Sequence, residues 1–488
     1  MDEKKYYKQN LWCFPLGTVG RDMVYVLVSN FLLTYIMFTR ELTNAQLGAI
    51  TAIMVAARIF DALNDPIMGN IIERTRSKYG KFKPWLVAGA ISTTAVIVFL
   101  FNTKLTGWSF ITAFGISYFA FSITYTMNDI AYWGMIPALS RDGGARDTFT
   151  SRATLFAGIG NALASVAIPI FTAGAMALGG STASGYGYMS IIIGILAPAF
   201  LLFTVFGVRE NRDDMKLPPT PLSFKRILST ITGNDQLLWI SLIFLIQETG
   251  SMIIAAGLGS TYIYFLYGYR GGLYSTFTLV GMSATAFLMI FYPMIVKKLG
   301  RMKLMTVLLG LSMVGYVMMI ASRGLGNSTA GFWVLTIGYM LGSFGQYGYY
   351  LIMMISILNT VEYNEYKFGT RDEAIIASLR PFLTKMSSAI LVMITSLTYM
   401  AFGVTDYTNQ ISAFENQAAS GAITEEAKLD AIDQVLTTVQ SSQTDGLLFV
   451  MVILSAIMMI ASYLIYKAKY TLDEATYDHI CEELEKRK

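Results

Sequence analysis

The sequence predicts an all-α membrane protein with twelve transmembrane helices in two six-helix bundles. Three observations carry this expectation. First, hydrophobic residues fill 54% of the 488 positions and charged residues only 14%, where a soluble domain carries about 25% charged residues. Mean hydropathy is accordingly high, at +0.51. Second, about twelve apolar segments are long enough to cross a hydrocarbon core roughly 30 Å thick. Third, a charged, proline-bearing stretch at 208–234 (VRENRDDMKLPPTPLSFKRILSTITGN) interrupts the apolar pattern in mid-chain, with six segments on either side.

The expected spans fall near 12–38, 45–72, 84–102, 108–139, 151–175, 187–207, 235–266, 274–296, 304–322, 332–359, 374–402 and 446–467. Several exceed the length of a perpendicular crossing, so they tilt or project beyond the bilayer. Basic residues set the orientation. The second connection holds Arg74, Arg76, Lys78, Lys81 and Lys83, and the eighth holds Lys297, Lys298, Arg301 and Lys303. The odd-numbered connections carry one basic residue or none. Lys and Arg concentrate in cytoplasmic loops, so the even connections and both termini are expected in the cytoplasm.

The expected organisation is an N-terminal bundle over 1–207, a cytoplasmic linker over 208–234, a C-terminal bundle over 235–467 and a cytoplasmic tail over 468–488. A cleavable signal peptide is not expected, because the apolar run after the mixed-charge start (Asp2 to Gln9) is too long for one. A weak internal repeat links the bundles. The basic connections after spans two and eight both place a glycine before a cation, Gly80–Lys81 and Gly300–Arg301. In the polar external connection 403–445, Leu429, Ile432, Leu436 and Val439 recur at helical spacing after Thr424, which predicts a short surface helix. Thr471 and Glu474 form a T-x-x-E capping box that would start a tail helix. That tail is too short for a fused domain and is assigned no function.

Composition excludes several chemistries. Cys13 and Cys481 stand at opposite ends, so no disulfide framework is indicated. The one histidine, His479, lies in the polar tail, which removes a His proton relay and H-E-x-x-H zinc chemistry. The net charge of +4 sits in loops and reads as topology rather than nucleic-acid binding.

Polar residues inside the spans narrow the function. Asp61 and Asp65 stand four residues apart within the second span, on one helical face with Cβ atoms roughly 5–6 Å apart. One carboxylate near the bilayer centre costs about 2.5–3.5 kcal/mol on insertion scales. With Asn64 and a backbone loosened by Pro66, the pair offers an oxygen-lined cation site. The competing reading is a charge pair neutralised by Arg58, one turn earlier, with no transported ion. Arg21 and Asp22 stand in span one, Thr126, Asn128, Asp129 and Trp133 in span four, and Arg152 opens span five. Asp22, Asp129 and Arg152 suit a structural charge cluster, or a sugar site in which carboxylates and a guanidinium bind vicinal hydroxyls. Trp133, one turn after Asp129, suits stacking on a pyranose face or plain packing.

Residues 58–85, RIFDALNDPIMGNIIERTRSKYGKFKPW, resemble the signature of the glycoside–pentoside–hexuronide:cation symporters, a family with the major facilitator fold. The resemblance runs from Gly20–Arg21–Asp22 in span one to SLRPFLTK (378–385) in span eleven. It implies a cation site at Asp61, Asn64, Asp65 and Thr126. It implies a sugar site at Asp22, Asp129, Trp133 and Arg152, continued in the second half by Tyr350, Arg380 and Lys385. The second half departs from the family. Tyr350 stands where the family has Trp, and Arg380 and Pro381 stand where it has Gln and Thr. Asn359 replaces an acidic residue, a swap without a physical account. The added guanidinium of Arg380 would favour an acidic sugar, or would pair with Glu248 or Glu362.

The resemblance therefore implies a cation-coupled sugar or glycoside symporter of the cell membrane, working by alternating access. It implies no enzyme activity and no cofactor beyond the coupling cation, Na⁺, Li⁺ or H⁺. Its partners would be a sugar, a monovalent cation and the lipid bilayer, with no nucleic acid, and a monomer is expected. The alternative within transport is a proton-coupled hexuronide or pentoside symporter, or a sugar exchanger. Cytoplasmic loops bearing Arg141 and Arg146 would pair with residues near 362–373 to lock the outward-facing state. Membrane aspartyl proteolysis is disfavoured, because Asp61 and Asp65 share one helix. A channel is disfavoured by the two unlike halves, and a transport-dead receptor by the intact polar sites.

Overall fold

The computed structural model describes residues 3–140, 143–210, 224–370 and 372–486. Among the described residues every regular element is helical. All twelve expected spans are helices. Before mid-chain come α1 Glu3–Thr39, α2 Asn44–Arg74, α3 Lys83–Asn102, α4 Gly107–Gly134, α5 Gly143–Thr172 and α6 Thr182–Gly207. After it come α7 Asp235–Tyr267, α8 Gly271–Leu299, α9 Arg301–Ala321, α10 Thr329–Phe368 and α11 Glu373–Ala401. Two extramembrane helices, α12 Val404–Ala419 and α13 Glu425–Thr438, precede α14 Ser441–Lys469, and α15 Glu474–Lys486 ends the described chain. Of the expected linker, 211–223 lies outside the described residues, and Phe224–Gly233 forms a helix. Ten described helices are long and apolar enough to cross a membrane, or eleven with α2, which bends by 41° between Asp61 and Asn64. The 40-residue α10 is not among the ten.

The packing resolves two compact units. One is built from Met1–Leu222, Tyr269–Ser275 and Gly403–Thr438, the other from Ser223–Gly268, Thr276–Phe402 and Val439–Lys488. The first unit has a core of Phe14, Leu86, Tyr132, Phe149 and Leu201. Its helices approach closely because two glycines permit it. A Cβ at Gly20 would overlap the Ala197 backbone, and one at Gly160 would overlap the Val19 carbonyl. Small residues at such crossings let membrane helices meet backbone to backbone. That contact fixes the stretch of α1 that carries Arg21 and Asp22.

The α12–α13 insert belongs to this first unit although its sequence lies between α11 and α14. Asn409 accepts from Leu42 N at 2.8 Å and donates to Leu42 O at 2.9 Å. Glu415 and Lys428 pair at 3.6 Å with both side chains fully buried. Glu415 also accepts from Thr182 N and Oγ1, at 2.7 and 3.1 Å, and Lys428 donates to Gly180 O at 2.8 Å. The expected surface helix is α13. Thr424 Oγ1 accepts from Ala427 N at its start, and Ile432 and Val435 are buried.

The second unit has its core around Phe244, Leu308, Ile352, Met459 and Tyr466, and it extends to Ile480 and Leu484 of α15. The tail is therefore docked. Its start differs from the expected capping box: Asp473, not Thr471, caps α15 by accepting from Thr476 N at 2.8 Å. Glu474 is engaged elsewhere, accepting from Arg301 N at 2.7 Å and Arg301 Nε at 3.2 Å.

That contact explains the weak internal repeat. In the first unit Gly80 has φ +108° and in the second Gly300 has φ +75°, values that glycine tolerates without a Cβ clash. Each presents the next residue's N–H to a glutamate just past the last span of the same unit. Lys81 N donates to Glu210 at 3.3 Å, as Arg301 N donates to Glu474.

Candidate cation and sugar sites

Both first-half clusters form within the first unit. Pro66 lacks an N–H and its ring crowds the carbonyl of residue 62, which accounts for the bend of α2 beside Asp61. Across from that bend, α4 supplies two hydroxyls at the same four-residue spacing as the carboxylates. Ser122 Oγ donates to Asp61 Oδ1, and Thr126 Oγ1 donates to Asp65 Oδ1 at 3.1 Å. Arg58 pairs with Asp61 Oδ2 at 3.5 Å and donates to Ser29 Oγ at 3.4 Å. Asp61, Asn64 and Thr126 are buried, and Asp65 is half-buried. The Asn64 amide nitrogen is buried with no hydrogen-bond partner.

The electrostatics follow directly. Arg58 pairs with one of two carboxylates, and the other stands beside the Thr126 hydroxyl in a largely desolvated setting. Oxygen ligands of this kind suit a hard cation. Among the described residues no three His, Cys, Asp or Glu converge on a metal position. Arg58 does meet Asp61, so neutralisation is real for that carboxylate, and it leaves Asp65 with Thr126 as the other half of the cluster.

In the second cluster the bridging guanidinium is Arg21. Its Nη2 pairs with Asp22 Oδ2 and its Nη1 with Asp129 Oδ1, each at 2.9 Å. Thr18 Oγ1 donates to Asp22 Oδ2 at 2.5 Å. The guanidinium carbon lies 4.7 Å from the Tyr132 ring centroid and 5.1 Å from that of Trp133. Arg21 is 7% exposed, while the Asp22 and Asp129 side chains are 18% and 29% exposed. The carboxylates therefore keep open lone pairs while the cation holds them in place. Arg152 lies over the Trp12 ring, 5.1 Å from its centroid. The structure thus brings Asp22, Asp129 and Trp133 together around Arg21. Arg21, Thr18 and Ser122 are the residues that sequence reasoning did not place in a site. The signal for Thr18 and Ser122 was helical spacing, four residues before Asp22 and four before Thr126, and that for Arg21 was its charge inside span one.

In the second unit, Arg380 Nη1 donates to Tyr350 OH at 2.7 Å. The Tyr350 ring packs against Phe244 at 5.9 Å and Tyr347 at 5.7 Å. Lys385 follows on the same helix, α11. Of the expected cytoplasmic gate, Arg141 lies outside the described residues, and Arg146 Nε donates to Ser140 O at 2.8 Å.

Carboxylates and guanidinium groups buried inside membrane helices pair with one another or serve a ligand or ion pathway. A family model described as MFS/sugar transport protein matches residues 13–425. The chain belongs to this family, within the glycoside–pentoside–hexuronide:cation symporters. A lactose permease of Leuconostoc lactis is 29% identical over 395 residues, 77% of this chain and 60% of that protein. A raffinose carrier protein of Pediococcus pentosaceus is 28% identical over 401 residues, 77% of this chain and 60% of that protein. The chain thus spans about 60% of the length of these relatives. Among solved structures, a bacterial homolog of the human lysosomal transporter Spinster superposes with a TM-score of 0.61 at 13% identity, covering 95% of this chain and 98% of that one. This last likeness concerns the fold alone.

Proposed function

We propose that the protein is a cation-coupled sugar or glycoside symporter of the cell membrane, with both termini cytoplasmic, working by alternating access. The observation that carries this reading is the matched spacing of Asp61 and Asp65 on α2 with Ser122 and Thr126 on α4, which gathers carboxylate and hydroxyl oxygens beside Arg58. Na⁺, Li⁺ or H⁺ would bind among these oxygens. The sugar would be taken by Asp22 and Asp129 as acceptors, with Arg21 holding their geometry and Trp133 beside them, and Arg152, which lies over Trp12, would have to turn toward them to join. The relatives named for lactose and raffinose support a saccharide as the substrate. Both clusters draw on α4, with Thr126 and Asp129 less than one turn apart, so a cation that orders one end of this turn bears on the other. Coupling then means that each ligand raises the other's affinity by the same factor.

Two variants test the assignment in membranes or proteoliposomes. Asp65→Asn should remove cation stimulation while sugar binding survives. Asp129→Ala or Arg152→Ala should abolish sugar binding in a folded protein. Intact cation dependence in the first, or normal sugar affinity in both of the others, would place the sites elsewhere.

A further inference from the structure

The second unit holds a membrane carboxylate that the sites above leave unused. Glu248 lies in α7 between the buried Gln247 and Thr249 and is itself half-buried. Among the described residues its carboxylate accepts no hydrogen bond and makes no ion pair in contact, and the charge that acts on it through space is Arg380. A carboxylate in this position is costly unless it pairs or serves a ligand.

Three helices converge around it. Phe244, one turn before Glu248 on the same face of α7, packs on Tyr350 of α10 at 5.9 Å. Tyr350 OH accepts from Arg380 of α11 at 2.7 Å. Two turns along α11, Ser387 Oγ donates to Leu245 O at 3.3 Å, which fixes α11 against α7. Lys385 stands five residues after Arg380, about 140° round the helix, and so faces elsewhere. The face made by Glu248, Phe244, Tyr350 and Arg380 thus carries one acid, one guanidinium and two rings, with no net charge.

A lone guanidinium would select a substrate carboxylate by paired, charge-assisted hydrogen bonds. A guanidinium facing a glutamate does not, and the glutamate repels any second carboxylate brought to it, a specificity gained by repulsion. We infer that Glu248 is the charge-selectivity residue of the transporter. It neutralises Arg380 and reserves this face for uncharged glycosides, whose hydroxyls meet Arg380 as donor and Glu248 as acceptor. This inference rests on the proposed sugar-transport reading.

The test compares a glucoside with the glucuronide of the same aglycone, which differ only at C6, as competitors in binding to the full-length reconstituted protein. The wild type should prefer the glucoside by about tenfold or more, the factor given by about 1.4 kcal/mol. Glu248→Gln should shift the ratio toward the glucuronide by about tenfold. Arg380→Gln, which leaves Glu248 unopposed, should shift it the other way and serves as a second arm if Glu248→Gln fails to fold. A wild type that prefers the glucuronide overturns the inference. So does a ratio unmoved by Glu248→Gln, with both affinities falling together, or a shift toward the glucuronide in Arg380→Gln. Absence of binding and uptake of any sugar by the wild type would instead overturn the sugar-transport reading, and this inference with it.

Discussion

Arg21 shows what a single side chain contributes here. It is buried against two neighbouring aromatic rings, Tyr132 and Trp133, and ion-pairs with carboxylates from two helices, Asp22 on α1 and Asp129 on α4. Removing it would leave two acids facing each other with no cation between them. Breaking a buried pair by deleting one partner costs about 3–5 kcal/mol. Arg21→Gln should therefore lower thermal stability in detergent and abolish sugar binding together. Arg21→Lys should recover much of the stability, but not the two-armed geometry that a planar guanidinium gives. A stable Arg21→Gln protein with unaltered sugar affinity would show that the bridge is dispensable. The sequence made Asp61 and Asp65 legible, because charge inside an apolar run demands a reason. It left Ser122 silent, because a hydroxyl in a membrane helix can satisfy itself on its own backbone. It left the Arg21 bridge silent too, because the pairing to Asp129 depends on how α1 crosses α4.

At the scale of elements, hydropathy located a helix at every expected span, since lipid forces each spanning segment to satisfy its own backbone, but α1 and α5 start eight or nine residues earlier and α10 ends nine residues later than expected. The extramembrane helices were less legible. α13 was readable from its apolar spacing after Thr424. α12 was not, because its buried face is mostly Thr405, Thr408, Ser412 and Glu415, with Val404 and Ile411 as the aliphatic members. That a stretch between α11 and α14 packs with the first unit is a long-range fact with no local signal. The tail gives a pH prediction. Burial alone would raise the pKa of Glu474, but the hydrogen bonds it accepts, led by the Arg301 N–H, outweigh this and hold it below its ordinary 4.5. A carboxyl depressed in the folded state contributes stability above its unfolded pKa and loses it as pH falls through the folded value. Docking of α15 should therefore hold at neutral pH and weaken below about 4.5. Hydrogen-exchange protection over 474–486, corrected for the intrinsic pH dependence of exchange, should be high at pH 7 and fall near pH 4, and Glu474→Gln should flatten that dependence. Equal protection at both pH values would refute the contact's role.

At the scale of the whole molecule, each unit repeats one device, a positive-φ glycine whose following N–H is held by a glutamate beyond the last span of the same unit. The polar clusters do not repeat. The first unit holds two carboxylate clusters, each with one guanidinium, and the second holds Arg380 bonded to Tyr350 with Glu248 on a neighbouring helix. In the proposed symport these unlike clusters would serve two unlike ligands, a cation and a polyol. Linkage makes the coupling reciprocal, so a cation that strengthens sugar binding must itself bind more tightly when sugar is present. The most direct test is uptake of labelled glycosides into proteoliposomes under an inward sodium or proton gradient. Accumulation above the external concentration, lost on collapsing the gradient and absent in Asp65→Asn, is the predicted result. Equilibration to the external concentration, whatever the gradient, would contradict symport.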